Sequence, residues 1–207
     1  MFILYALPVG LVAGLLAGGR LERLGSLSLR WAPLAVVGLL VQVVVFFGPV
    51  ADRIGELGVP LYVGSTAVVL VVVLRNIRVP GLALVAAGAA ANLAAIVANG
   101  GYMPAAAEAL AAIGKGVGSG YSNSAVLPEP ALAPLTDLFA MPAWLPFANV
   151  FSVGDLLIAA GVAWAVGAAM RGPSPVVRRG TSSQSTGAPE PPVDGAALAP
   201  DLPSPRR

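Results

Sequence analysis

Cysteine and histidine are both absent from this 207-residue chain, and only 11% of its residues are charged. Without cysteine there is no disulfide framework and no thiolate to hold a metal or carry redox chemistry. Without histidine the chain lacks the commonest general base and the commonest nitrogen ligand. The scarcity of charge excludes more. An ordinary globular domain is about 25% charged, whereas this chain cannot coat a water-facing surface, because 57% of it is hydrophobic. The net charge of +2 gives no reason to expect a nucleic-acid partner. Nothing in the sequence asks for a metal or a cofactor.

What is present is a set of apolar runs close to the ~20 residues that a spanning helix needs. Five can be marked, over 2–19, 31–48, 57–74, 80–98 and 153–170. The expected fold is therefore an all-α integral membrane protein with five transmembrane helices. The third run is the weakest, being short and rich in β-branched residues, though tilt and mismatch make such a span tolerable. Ten of the twelve cations follow the first, third and fifth runs, leaving Arg53 and Lys115 on the other face. By the positive-inside rule the N-terminus is outside and the C-terminal tail is cytoplasmic. The long 99–152 segment is then an extracytoplasmic loop, expected to be partly helical. No basic region precedes Phe2, and no A-x-A site follows the first run, so that run is read as a retained helix. Tyr5, Phe46, Phe47, Tyr62 and Tyr102 fall near outer ends and Trp31 near an inner one, as interfacial anchors should. Eight of the 19 prolines lie within 171–207, among Ser, Thr and Gly. Such a tail cannot bury enough apolar surface to become ordered and is expected to be disordered.

Small and polar residues within the spans are the first candidates for chemistry. Gly10, Gly14 and Gly18 recur at four-residue spacing, as do Ala87, Ala91 and Ala95. Such stripes let backbones approach closely, inside one bundle or between copies in a homo-oligomer. The intramembrane polar residues are Gln42, Ser65, Thr66 and Asn92, with no charge in any span interior. Asn92 and Asn99 share a helix face about 10.5 Å apart along the axis. Their amides suit either interhelical hydrogen bonds or a ligand. The lack of intramembrane carboxylates and lysines argues against a proton-coupled pump.

Both feet of the long loop have recognisable grammar. In "ANGGYMPAAAEAL" (98–110), Asn99 and Gly100 suit a helix end. Met103 is pushed into extended conformation by the following proline. Pro104 suits the first turn of a new helix that runs to Ile113 and stops at Gly114. In "NVFSVGDLLIA" (149–159), Ser152 and Asp155 have the spacing of a capping box. Between the feet, "GKGVGSG" (114–120) lacks the strand, the helix and the spacing of a phosphate loop and reads as a linker. The apolar, proline-broken "LTDLFAMPAWLPFANVF" (135–151) is expected to lie in the outer interface or to dip into the bundle.

On "ANGGYMP" and "NVFSVGDLLIA", over roughly 1–170, the chain resembles the bacterial membrane family known as domain of unknown function 5317. The resemblance implies a multi-pass fold in a bacterial inner membrane and no particular reaction. A family signature at both feet of one loop also implies that the feet meet. Asn99, Tyr102, Asn149 and Asp155 would then form one polar, ligand-binding cluster at the outer face. Three functions remain open. The first is a non-enzymatic protein whose outer loop binds a lipid, a small molecule or a partner. The second is a small-solute channel or transporter, and the third an outer-face enzyme using Asp137, Asp155 or Glu108.

Overall fold

A computed structural model describes residues 2–115 and 124–172, and it is mostly helical. A 3-10 turn, Phe2–Tyr5, leads into α1 (Ala6–Leu16). Then come α2 (Ala32–Val45), the single turn α3 (Gly48–Ala51), α4 (Gly58–Arg75) and α5 (Leu82–Ala98). After the loop helix α6 (Ala107–Ala112), α7 covers Val153–Arg171. Two stretches, Gly55–Arg75 and Val153–Arg171, are long and apolar enough to cross a membrane; Ile3–Leu16, Ala32–Val45 and Leu82–Ala98 are apolar but shorter. The 173–207 tail and most of the glycine linker lie outside the described residues.

The ends of the shorter helices have local causes. Gly19 donates to Gly14 O at 2.8 Å and Gly18 to Leu15 O at 2.9 Å, with Gly18 at φ 76°. This is the paired bond pattern of a left-handed helix cap. It stops α1 at Leu16, three residues short of the expected 19, and it removes Gly18 from the small-residue stripe. In α2 the chain turns extended at Phe47, so the helix ends at Val45 and restarts as α3 with Pro49 in its first turn. Proline is tolerated there because that N–H has no intrahelical partner. By contrast α4 is fully helical, although its run of valines made it the weakest span in the sequence. Propensity differences of a few tenths of a kcal/mol per residue do not decide a helix with apolar packing along its length.

The main helices pack in the order α2–α4–α5–α7–α1, and α1 and α2 have no extensive contact among the described residues. The α5–α7 crossing is set by glycines. Gly81 lies against Gly161 and Gly88 against Gly154, each pair two turns from the other on antiparallel helices. A Cβ at Gly161 would stand 2.6 Å from Gly81 O and 2.8 Å from Val85 N. The Gly10/Gly14 face of α1 is likewise occupied within the chain, since a Cβ at Gly10 would meet Ala163 O of α7 at 2.8 Å. Elsewhere the helix flanks carry large exposed apolar side chains, among them Val9, Val12, Leu40 and Val43.

The 99–152 segment contains short two-residue strands as well as a helix, an addition to the partly helical loop expected within a mostly helical fold. Strand β1 (Met103–Pro104) pairs in parallel with β2 (Ser124–Ala125), and β3 (Phe139–Ala140) pairs antiparallel with β4 (Val150–Phe151). Phe139 and Phe151 stack with ring centroids 5.5 Å apart. Pro104 therefore lies in a strand and does not open the helix; α6 begins three residues later, at Ala107, and ends at Ala112 before Gly114 at φ 67°. Met103 is extended as its proline neighbour requires, and pairing carries that conformation onward to Ala105. Ala105, Ala109, Leu110 and Val150 form a small core of the loop's own. Met103 instead joins Tyr62, Ala95 and Ile96 in the bundle.

Glycine-to-alanine substitutions should separate close approach from helix propensity. Gly161→Ala should lower stability by about 1–3 kcal/mol because backbone atoms of α5 must move. Gly64→Ala, where a Cβ meets nothing within 4 Å, should raise it by up to about 1 kcal/mol. Unfolding of the detergent-solubilised protein compares the two.

Candidate functional site

The start of α7 is held by a closed set of hydrogen bonds. The Ser152 hydroxyl accepts from the Asp155 N–H at 3.0 Å, and the Asp155 carboxylate accepts from the Ser152 N–H at 3.2 Å, completing the capping box. Asn92 of α5 closes the set. Its Nδ2 donates to Asp155 Oδ1 at 2.8 Å, and its Oδ1 accepts from the Ser152 hydroxyl at 2.9 Å. The glycine crossing makes this possible, because a Cβ at Gly154 would collide with Asn92 Oδ1. Each polar group satisfies another, as burial in apolar surroundings demands.

Asp137 arrives from the loop. Its backbone N–H donates to Pro104 O at 2.9 Å, and its carbonyl accepts from Ala106 N at 3.0 Å. That pairing fixes the residue beside β1. Asp137 is only 7% exposed, and its Oδ1 is buried with no hydrogen-bond partner. Burial first, and then the nearby Asp155 charge, raise its pKa to about 7, against the lowering effect of the N-terminal ammonium. A carboxyl group taken from water without a partner favours its neutral form.

Both acids line one cavity of about 400 Å³. Its walls are apolar, with Leu39, Val69, Val73, Val85, Ile158 and Val162 facing it. Gln42 and Thr66 add polar groups partway down, joined by a 3.3 Å bond from Gln42 Nε2 to Thr66 Oγ1, while Asn92 stands with Asp155 at the loop end. Thr66 in turn donates to Tyr62 O at 2.8 Å. At the end away from the loop, Val73 and Val85 offer no polar side chain. Ile3, just before α1, and Leu39 of α2 also line the cavity, and both are exposed.

The residues singled out from the sequence are divided by the structure. Asp155, Asn92 and Gln42 all reach the cavity. Asn99 caps α5 and ties down the loop: its Nδ2 donates to Ala95 O and Ala131 O, and its Oδ1 accepts from Ala131 N at 2.8 Å. Those bonds use its amide on backbone. Asp155 meets Asn92, within α5 and seven residues before Asn99. Tyr102 is half-buried beside β1, and Asn149 is half-buried with its backbone carbonyl accepting from Met141 N at 3.0 Å. Neither residue lines the cavity. Asp137 entered the sequence reading only as one of three acids for an enzyme. The signal for its burial was an acid set in an apolar, proline-broken stretch, but its nearness to Asp155 needed the loop pairing. Glu108 is exposed on α6.

A helical bundle with a loop-capped, acid-tipped apolar cavity is the class that this geometry defines. The chain belongs to the Family of unknown function (DUF5317), which matches residues 26–167. That range is more than half of the chain, and it contains every cavity residue named above except Ile3. No curated protein and no solved structure matches.

The state of Asp137 has a measurable consequence. An ordinary aspartate releases its proton near pH 3.9, so between about pH 4 and 7 the unfolded chain is ionised there while the folded protein retains its proton. Stability contributed by the neutral form is complete below that window and is lost as pH rises through it, by at most about 1.4 kcal/mol per pH unit. Asp137→Asn should remove this slope. The variant should match wild type near pH 4 and be more stable at pH 8, as read from thermal unfolding across that range.

Proposed function

We propose that this chain is a five-span protein of a bacterial cell membrane that binds a small amphipathic ligand in the cavity beneath its outer loop. The observation that carries the binding reading is the cavity itself, apolar along its walls and acidic at the loop end. Its volume falls within the ~300–1,000 Å³ typical of small-molecule sites, and a few convergent polar groups on apolar walls are the usual composition of such sites. A ligand there presents its polar head to Asp137, Asp155 and Asn92 and its apolar body to the valines and leucine below. The exposed Ile3 and Leu39 at the cavity wall offer a lateral route from lipid. The apolar end at Val73 and Val85 gives a polar solute no partner, which favours binding over conduction.

Support for the spans comes from two directions. Two helices have the length and composition to cross, and three shorter ones are also apolar. Large apolar side chains stand exposed along the helix flanks, which is unfavourable in water over so wide an area. The shorter helices are accommodated by local thinning of the bilayer and by their flanking turns. The arginines support the orientation. Arg20 N donates to Met170 O, the Arg30 backbone is clamped by Asn76, and Arg75 lies over the Trp31 ring at 5.8 Å. The bundle end opposite the loop is thus strongly basic, as a cytoplasmic face is.

The chain contains no cysteine, so single cysteines report cleanly. Ala112→Cys, exposed on α6, should react with a membrane-impermeant maleimide on intact cells. Gly25→Cys, at an open position near the opposite end, should react only after permeabilisation; the reverse pattern overturns the orientation.

Ala89→Phe, which places a ring into the cavity, tests binding. Native mass spectrometry of gently extracted wild type should show a bound small amphipath that the variant lacks. The same mass profile from both proteins overturns the ligand reading.

A further inference from the structure

Resting on the reading of the cavity as a ligand site, we propose that the head group held between Asp137 and Asp155 is a protonated amine carried on a single small apolar body. Three observations point to charge rather than to polarity alone. First, the charged groups lining the cavity are two carboxylates, with no lysine or arginine among the described lining residues. Second, Asp155 is already fixed, its two oxygens accepting from Asn92 Nδ2 and Ser152 N. It therefore stands ready as a rigid acceptor with lone pairs to spare. Third, Asp137 is more than nine-tenths buried at the cavity wall, and its Oδ1 has no donor.

An ammonium supplies a donor and a positive charge that none of the described lining side chains brings. It carries three donors and one positive charge, so it can serve both acids at once. A hydroxyl has a single hydrogen and leaves the repulsion between the carboxylates untouched. A carboxylate or phosphate head brings further negative charge to an apolar cavity already lined by two acids, and is disfavoured there. The conflict of burial and Asp155 charge that pushes Asp137 up is the conflict that a bound ammonium relieves. Size narrows the body. A volume of about 400 Å³ is at the small end of the ~300–1,000 Å³ range, which suits one short alkyl or aryl group rather than a two-chain lipid. The valine-rich wall below the acids supplies the contact for that group.

The test uses the full chain in detergent at pH 8 with three matched probes: octylamine, octanol and octanoate. Octylamine is protonated there, as a lysine amine is. Octylamine should raise the thermal midpoint in a concentration-dependent way, as mass action on the folded state requires, and octanol and octanoate should not. Asp137→Asn, expected to be at least as stable as wild type at this pH, should weaken octylamine about tenfold or more, the usual scale for losing a charge-assisted hydrogen bond. Octanol binding as tightly as octylamine, or Asp137→Asn keeping wild-type affinity for the amine, overturns the proposal. Ala89→Phe separates the two levels of the argument. If amine and alcohol bind wild type equally and the ring abolishes both, the cavity is a ligand site and the head group is not cationic. If the ring changes neither, the amine proposal and the cavity reading fall together.

Discussion

The backbone contact between α5 and α7 is the constraint on which the rest depends. Gly81 against Gly161 and Gly88 against Gly154 bring two antiparallel helices closer than any side chain allows. Small residues serve this purpose where lipid removes the hydrophobic drive between helices. The close approach has a chemical result. With no side chain at Gly154, the Asn92 amide reaches the first turn of α7 and bonds Ser152 and Asp155 at 2.9 and 2.8 Å. A helix cap and an interhelical contact become one set of bonds, and a carboxylate is fixed at the loop end of the cavity.

The second acid is held by a different logic. Asp137 is positioned through its backbone, which pairs with Pro104 and Ala106, and its side chain is left to the cavity. A buried carboxyl with an unpaired oxygen weakens the fold, and structures keep such a group where something other than stability requires it. The neighbouring polar residues do not share this condition. Gln42 bonds Thr66, Thr66 bonds Tyr62 O, and Asn92 is engaged at both ends of its amide. Asp137 Oδ1 is thus the buried side-chain atom that the described residues leave without a hydrogen-bond partner.

Two asparagines tie the loops to the bundle by the same device. Asn76 caps α4, its Nδ2 donating to Val72 O and Arg30 O while its Oδ1 accepts from Arg30 N. Asn99 caps α5 in the same way, with Ala95 O, Ala131 O and Ala131 N as partners. In each case a helix end that would leave carbonyls unpaired also secures a distant segment. At the loop end, the Asn99 clamp and the pairing of Asp137 with β1 hold the cavity's roof over α4, α5 and α7. The Tyr5 hydroxyl adds a further tie, donating to Pro146 O.

The sequence by itself determined the helical segments, the Ser152/Asp155 capping box and the break at Asn99–Gly100, because these follow from local chemistry: apolar runs, short polar caps and the steric freedom of glycine. The capping box is formed with both of its bonds, and Gly100 and Gly101 take φ 71° and 94° behind Asn99. Tertiary structure decided which of the small and polar residues matter together. Gly88 and Gly154 are 66 positions apart, as are no residues of a local motif, and the stripes visible along one helix did not reveal their pairing. Pro104 looks like a helix start from its neighbours alone; its strand partners at 124–125 and the pairing of Ala105 with Asp137 made it extended. The meeting of Asp137 with Asp155 in one cavity belongs to the same class. Each acid's local environment is written near it in the chain, but their common cavity is made by a fold that brings a loop strand and a helix start to the same place.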